Sequence, residues 1–132
     1  MKRLLLLLSF MTFVLTSSAQ QFYNASGSLM GKVENGRIYN RSGSLKGRID
    51  GERLYNQSGS FIGRVDRDRF YSQSGSLMGR IDGNRVYNRS GSLLGRIEGD
   101  RIYNASGSLI GRGSSIDHTV LALIFFFHFW DL

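Results

Sequence analysis

Apolar and polar positions alternate along most of this chain, and the alternation is copied at a fixed interval. In the stretch from Leu45, Leu45, Gly47 and Ile49 interleave with Lys46 and Arg48, the two-residue period of a strand. Asp50-Gly51 follows, a tight-turn signal, and Arg53-Leu54-Tyr55-Asn56 runs back as a second strand. The same text recurs every sixteen residues, so that Tyr23, Tyr39, Tyr55, Tyr71, Tyr87 and Tyr103 fall at one spacing. Self-similarity at a fixed period means one supersecondary unit copied in space.

Two kinds of turn punctuate the copies. Hairpin tips carry Glu34-Asn35-Gly36, Asp50-Gly51-Glu52, Asp66-Arg67-Asp68, Asp82-Gly83-Asn84 and Glu98-Gly99-Asp100. Four of the five offer the glycine that a positive φ favours. In Asp66-Arg67-Asp68, Asp68 is expected to take the left-handed position, which Asp tolerates better than most side chains. Between hairpins stands Asn-x-Ser-Gly, as in Asn40-Arg41-Ser42-Gly43, where the Asn side chain bonds the backbone two residues on. The triplet also matches the N-glycosylation acceptor, but it recurs because the turn recurs. In one copy Ser72 stands in for Asn.

Five hairpins are expected, at about 28–40, 44–56, 60–72, 76–88 and 92–104. A lone second strand (22–24) precedes them and a lone first strand (108–112) follows. These halves complete each other if the array closes, and closure removes exposed strand edges. The predicted fold is all-β: five 16-residue β-hairpin repeats in a closed radial, pseudo-five-fold array, with an apolar C-terminal tail packed on or through it.

Strict alternation assigns two faces. One collects Leu29, Leu45, Phe61, Leu77, Leu93 and Leu109, the Val33/Ile49 column, the Ile38/Leu54 column and the glycines Gly31, Gly47, Gly63, Gly79, Gly95 and Gly111. A strand glycine admits close approach, here expected of a neighbouring unit or a tyrosine ring. The other face carries the tyrosines, the Met30/Ile62 column and two Arg-dominated rows. Tyr39, Tyr55, Tyr71 and Tyr87 with Arg53, Arg69 and Arg85 are the candidate ligand surface, through cation–π contacts or stacking on sugars or bases. The competing expectation is that each Arg covers a neighbouring Tyr and pairs with Asp50, Asp66 or Asp82.

At the N-terminus Lys2 and Arg3 precede an apolar run, 4–15, and Ser17-Ser18-Ala19 supplies small residues. Residues 1–19 therefore read as a secretory signal peptide, 20–113 as the repeat domain and 114–132 as the hydrophobic tail. Removing Lys2 and Arg3 lowers the formal charge from +7 to +5. The chain has no cysteine and no proline, so an exported fold has no disulfide and relies on packing.

The tail is apolar without a break from 120 to 127, then continues His128, Phe129 and Trp130. It is too short to span a bilayer and too apolar to stand in water. Periodicity does not tell helix from strand in such a run. Phe125, Phe126, Phe127, Phe129 and Trp130 either plug or cover the ring, meet a partner or second copy, or enter a membrane interface.

No catalytic motif appears, His118 and His128 lack metal-ligand spacing, and the Asp-Gly turns lack the calcium-loop ladder. No enzyme, cofactor or metal site is expected, and no nucleic-acid partner. The signal segment, the Tyr-Asn-x-Ser-Gly-Ser-Leu-x-Gly-Arg-Ile repeats and the Phe-rich ending together resemble the small secreted five-fold β-flower proteins of Bacteroidetes-type bacteria. The resemblance implies β-hairpin petals about an axis and export from a bacterial cell. It carries over no catalytic or ligand residues. The expected role is an exported, non-enzymatic structural or interaction module of the cell envelope. The alternatives are a binding module for an anionic glycan or other polyanion, or a membrane-active protein working through the tail.

Overall fold

The computed structural model describes residues 20–132; the segment read as a signal peptide, 1–19, lies outside them. Twelve antiparallel strands close into one barrel in which every strand pairs with its chain neighbours. They are β1 (Gln20–Asn24), β2 (Leu29–Glu34), β3 (Arg37–Asn40), β4 (Leu45–Asp50), β5 (Arg53–Asn56), β6 (Phe61–Asp66), β7 (Arg69–Ser72), β8 (Leu77–Asp82), β9 (Arg85–Asn88), β10 (Leu93–Glu98), β11 (Arg101–Asn104) and β12 (Leu109–Gly113). One helix, α1 (His118–Phe125), follows.

The ring is closed by β1 pairing β12, with Tyr23 opposite Arg112 and Asn24 opposite Gly111. Within a continuous hairpin Tyr55 faces Arg48 and Asn56 faces Gly47 in the same way. Strands β12 and β1 thus build a sixth hairpin, cut open where its tip would be, so the closed ring holds six hairpin units rather than the expected pseudo-five-fold set of five. Each tip also docks on the next hairpin: the Gly36 carbonyl accepts from the Ile49 amide at 2.7 Å, and the Glu52 carbonyl from the Val65 amide at 2.8 Å.

Between hairpins the register slips by one residue. Ile38 faces Gly47, yet Tyr39 faces Leu45, so Lys46 is the extra residue of a β-bulge; the slip recurs at every such junction. A one-residue slip moves everything beyond it to the other face. The leucine row expected inside therefore points outward beside the tyrosines, with Leu29, Leu45, Leu93 and Leu109 among the exposed side chains. Phe61 meets Tyr55 edge-on at 6.2 Å between centroids. Met30, Ile62, Leu94 and Ile110, expected outside, pack against the core instead. Strict alternation failed here because it assumes an uninterrupted pleat.

The core holds Phe22, Ile38, Leu54, Phe70, Val86 and Ile102, all fully buried, with Leu121, Ala122 and Leu123 of α1. Asp117 caps α1, its Oδ1 accepting from the Thr119 amide at 2.8 Å.

The tips assign the left-handed conformation differently from the sequence expectation. Arg67, not Asp68, has positive φ (59°), in the place where Gly51, Gly83 and Gly99 have φ of 61°, 63° and 60°. The turn demands positive φ at its first central position, and Arg67 occupies that position whatever its side chain.

Candidate functional surface and interior

At five of the six between-hairpin turns one Asn oxygen organises the backbone. Asn40 Oδ1 accepts from the Ser42 amide at 3.1 Å, the Ser42 hydroxyl at 2.8 Å and the Ser44 amide at 3.0 Å. Ser72 makes a poorer version, accepting from the Ser76 amide at 3.3 Å.

On the outer wall a cation lies over every tyrosine ring. Arg48 stands 4.2 Å from the Tyr55 centroid, Arg64 4.2 Å from Tyr71, Arg80 4.4 Å from Tyr87 and Arg96 4.3 Å from Tyr103. Lys32 covers Tyr39 at 5.1 Å, and Arg112 covers Tyr23 at 4.8 Å. The hairpin register places each cation directly opposite its ring. The tyrosines are half-buried by this cover.

Arg53, Arg69 and Arg85, the second row, are exposed. Across the junctions they face other arginines: Arg37 opposite Arg48, Arg53 opposite Arg64, Arg69 opposite Arg80, Arg85 opposite Arg96 and Arg101 opposite Arg112. Like charges directly opposite destabilise a sheet. The expected ion pairs with Asp50, Asp66 and Asp82 are absent among the described residues. The pairs that form use glutamates, Lys32–Glu34 at 3.8 Å and Arg96–Glu98 at 2.7 Å. The carboxylate sits two residues past its cation on the same face, and Asp is one methylene shorter than Glu at that place.

The interior is organised by glycines and rings. Tail rings stand over the strand glycines: Phe125 over Gly111, Phe126 over Gly95, Phe127 over Gly79, Phe129 over Gly63 and Trp130 over Gly47. Phe22 of β1 takes the same place over Gly31. The tail therefore runs round the ring against chain order, about one hairpin per aromatic residue. A Cβ at Gly63 would come 2.5 Å from the Phe129 ring, and one at Gly79 2.6 Å from the Phe127 ring. At Gly47, Gly63, Gly79, Gly95 and Gly111 the covering rings thus come from the tail, and only at Gly31 from a neighbouring unit, Phe22 of β1; no tyrosine ring covers them, because the tyrosines are held on the other face by the pleat. Phe125 and Trp130 are buried in the core, and Phe126, Phe127 and Phe129 are half-buried against it.

Past α1 the chain widens its turn. The Ala122 carbonyl accepts from both the Phe126 and Phe127 amides, at 3.0 and 3.1 Å, and the Leu123 carbonyl accepts from the Phe129 amide at 3.2 Å. His128 interrupts the aromatic series; it is exposed, with φ 51°. His118 Nε2 donates to the Gly99 carbonyl at 2.7 Å. Among the described residues no three His, Cys, Asp or Glu side chains gather as a metal site. No helix among them is long and apolar enough to cross a membrane.

The sequence names the rings but not their seats. A usable signal was present: five aromatic residues within 125–130 beside a row of strand glycines.

Fold and surface together define an all-β hairpin-repeat barrel with a decorated outer wall. A family model for the 5-fold beta-flower protein matches residues 19–129, and the chain belongs to that family. No curated protein and no solved structure matched in the other comparisons.

Proposed function

We propose that this chain is an exported, non-enzymatic interaction module of the bacterial cell envelope, with the tail as an internal plug and the outer wall as its working surface. The observation that carries this reading is the seating of five tail rings over five strand glycines. It uses the tail's apolar side chains inside the barrel and leaves the Tyr, Arg and Leu columns as the repeated surface open to a partner. The start of the chain, with Lys2 and Arg3 before an apolar run and Ala19 after two serines, supports export.

Two measurements test it. Expressed with residues 1–19 in a Gram-negative host, the protein is expected in the envelope or medium, with a mass starting at Gln20; an uncleaved cytoplasmic product refutes export. By size-exclusion with light scattering, the 20–132 chain is expected to be a soluble monomer, and a version ending at Ser115 to aggregate or unfold. A stable monomeric truncation beside a full chain that needs detergent would return the tail to partner or membrane contact.

A further inference from the structure

We propose that the outer wall from β3 to β8 binds an extended anionic polysaccharide. The inference rests on the preceding reading in taking the outer wall as the working surface, and it names the partner that wall fits.

The barrel repeats its charges but does not neutralise them evenly. At the β9/β10 junction Arg96 is held by Glu98, and at the β1/β2 junction Lys32 is held by Glu34. On one side between these, the three contiguous junctions β3/β4, β5/β6 and β7/β8 carry Arg37/Arg48, Arg53/Arg64 and Arg69/Arg80; on the other side Arg101/Arg112 at β11/β12, likewise without an ion pair among the described residues, stands alone. The carboxylates nearest in register to the three contiguous pairs, Asp50, Asp66 and Asp82, make no ion pair among the described residues. Three like-charged pairs in a row are unfavourable for the sheet, and an external anion relieves them. That arc is where an anion gains most.

The shape selects a chain. Successive junctions are two strands apart, about 10 Å along the wall, comparable to one disaccharide of an extended sugar polymer. A convex barrel meets a flat bilayer along one line only, whereas a flexible polymer can follow the arc. Guanidinium groups suit sulfate or carboxylate, which they bind through paired donors. Single-stranded nucleic acid is disfavoured because its sequence-tolerant binding needs free aromatic faces. Here Tyr55, Tyr71 and Tyr87 each have an arginine over the ring.

The test compares two charge-matched variants of the 20–132 chain, Arg53→Ser/Arg69→Ser on the arc and Arg41→Ser/Arg89→Ser in exposed between-hairpin turns off it. The probe is a fluorescent heparin oligosaccharide, read by anisotropy over a salt series, with thermal melts to show that both variants fold. The arc variant is expected to lose roughly tenfold in affinity and to flatten the salt slope by about two, and the off-arc variant to stay within about twofold of the parent. Equal losses from both variants, no loss from either, or no binding by the parent overturns the proposal. Tighter binding of a single-stranded DNA of equal charge overturns the glycan assignment. The proposal's failure is separable from that of the module reading: an exported, tail-plugged protein without this binding refutes the arc alone, and a cytoplasmic protein with it refutes export alone.

Discussion

Trp130 Nε1 donates to the carbonyl of Tyr55 at 3.0 Å, joining the end of the tail to a strand seventy-five residues earlier. The same indole covers Gly47, so one side chain fills a seat and satisfies a carbonyl. The phenylalanines in the other seats have no donor to offer. Trp130→Phe is expected to cost about 1 kcal/mol through the lost hydrogen bond, and Trp130→Ala about 3–5 kcal/mol through the cavity. Chemical denaturation of the three proteins measures both.

The glycine seats make a sharper prediction. Gly79→Ala would place a methyl 2.6 Å from the Phe127 ring, in a site also bordered by the Tyr87 carbonyl. A loss of about 1–3 kcal/mol is expected from overpacking. Adding Phe127→Leu should recover part of it, because the ring is one of the two obstacles. A double-mutant cycle reads the coupling; strict additivity would mean that ring and glycine do not share the space.

Arg67 holds φ of 59° where three other tips have glycine. Left-handed backbone at a non-glycine residue costs on the order of 1 kcal/mol or more. Arg67→Gly is therefore expected to raise the melting temperature despite losing a side chain.

Ser72 is the one between-hairpin turn residue that is not Asn, and its bond to the Ser76 amide is 3.3 Å where Asn56 holds Ser60 at 2.9 Å. Ser72→Asn should restore the three-bond turn and stabilise by about 1 kcal/mol.

Salt should stabilise the free protein. The facing pairs Arg53/Arg64 and Arg69/Arg80 repel across paired strands on the outer wall, and a Debye length of roughly 8 Å at physiological ionic strength screens them. The melting temperature is expected to climb from low to physiological sodium chloride; a fall would mean that the Lys32–Glu34 and Arg96–Glu98 attractions outweigh the repulsions.

Much of the fold was legible because it is written in local repetition. Leu54 and Tyr55 alternate, Asp50-Gly51 turns, Asn56 opens the next turn, and copying makes each signal unmistakable. Even closure could be read, since residues 22–24 and 108–112 are complementary halves and β1 does pair β12. Two face assignments misled, for a reason that no single strand reveals. The bulge at Lys46 exists only in the pairing of β3 with β4, and it turns Leu45 outward and the Met30 column inward.

By itself, then, the sequence determined the period, the hairpins, the turns and the complementary ends, because these depend on residues close in the chain. Tertiary structure alone decided which face Leu45 takes, which residue of the Asp66–Asp68 tip bends left-handed, and which carboxylates reach an arginine. It also decided where the tail goes. In 120–127 every residue is apolar, so no pattern points a side chain anywhere; only the spaces over Gly47, Gly63, Gly79, Gly95 and Gly111 on a closed ring give each ring its place.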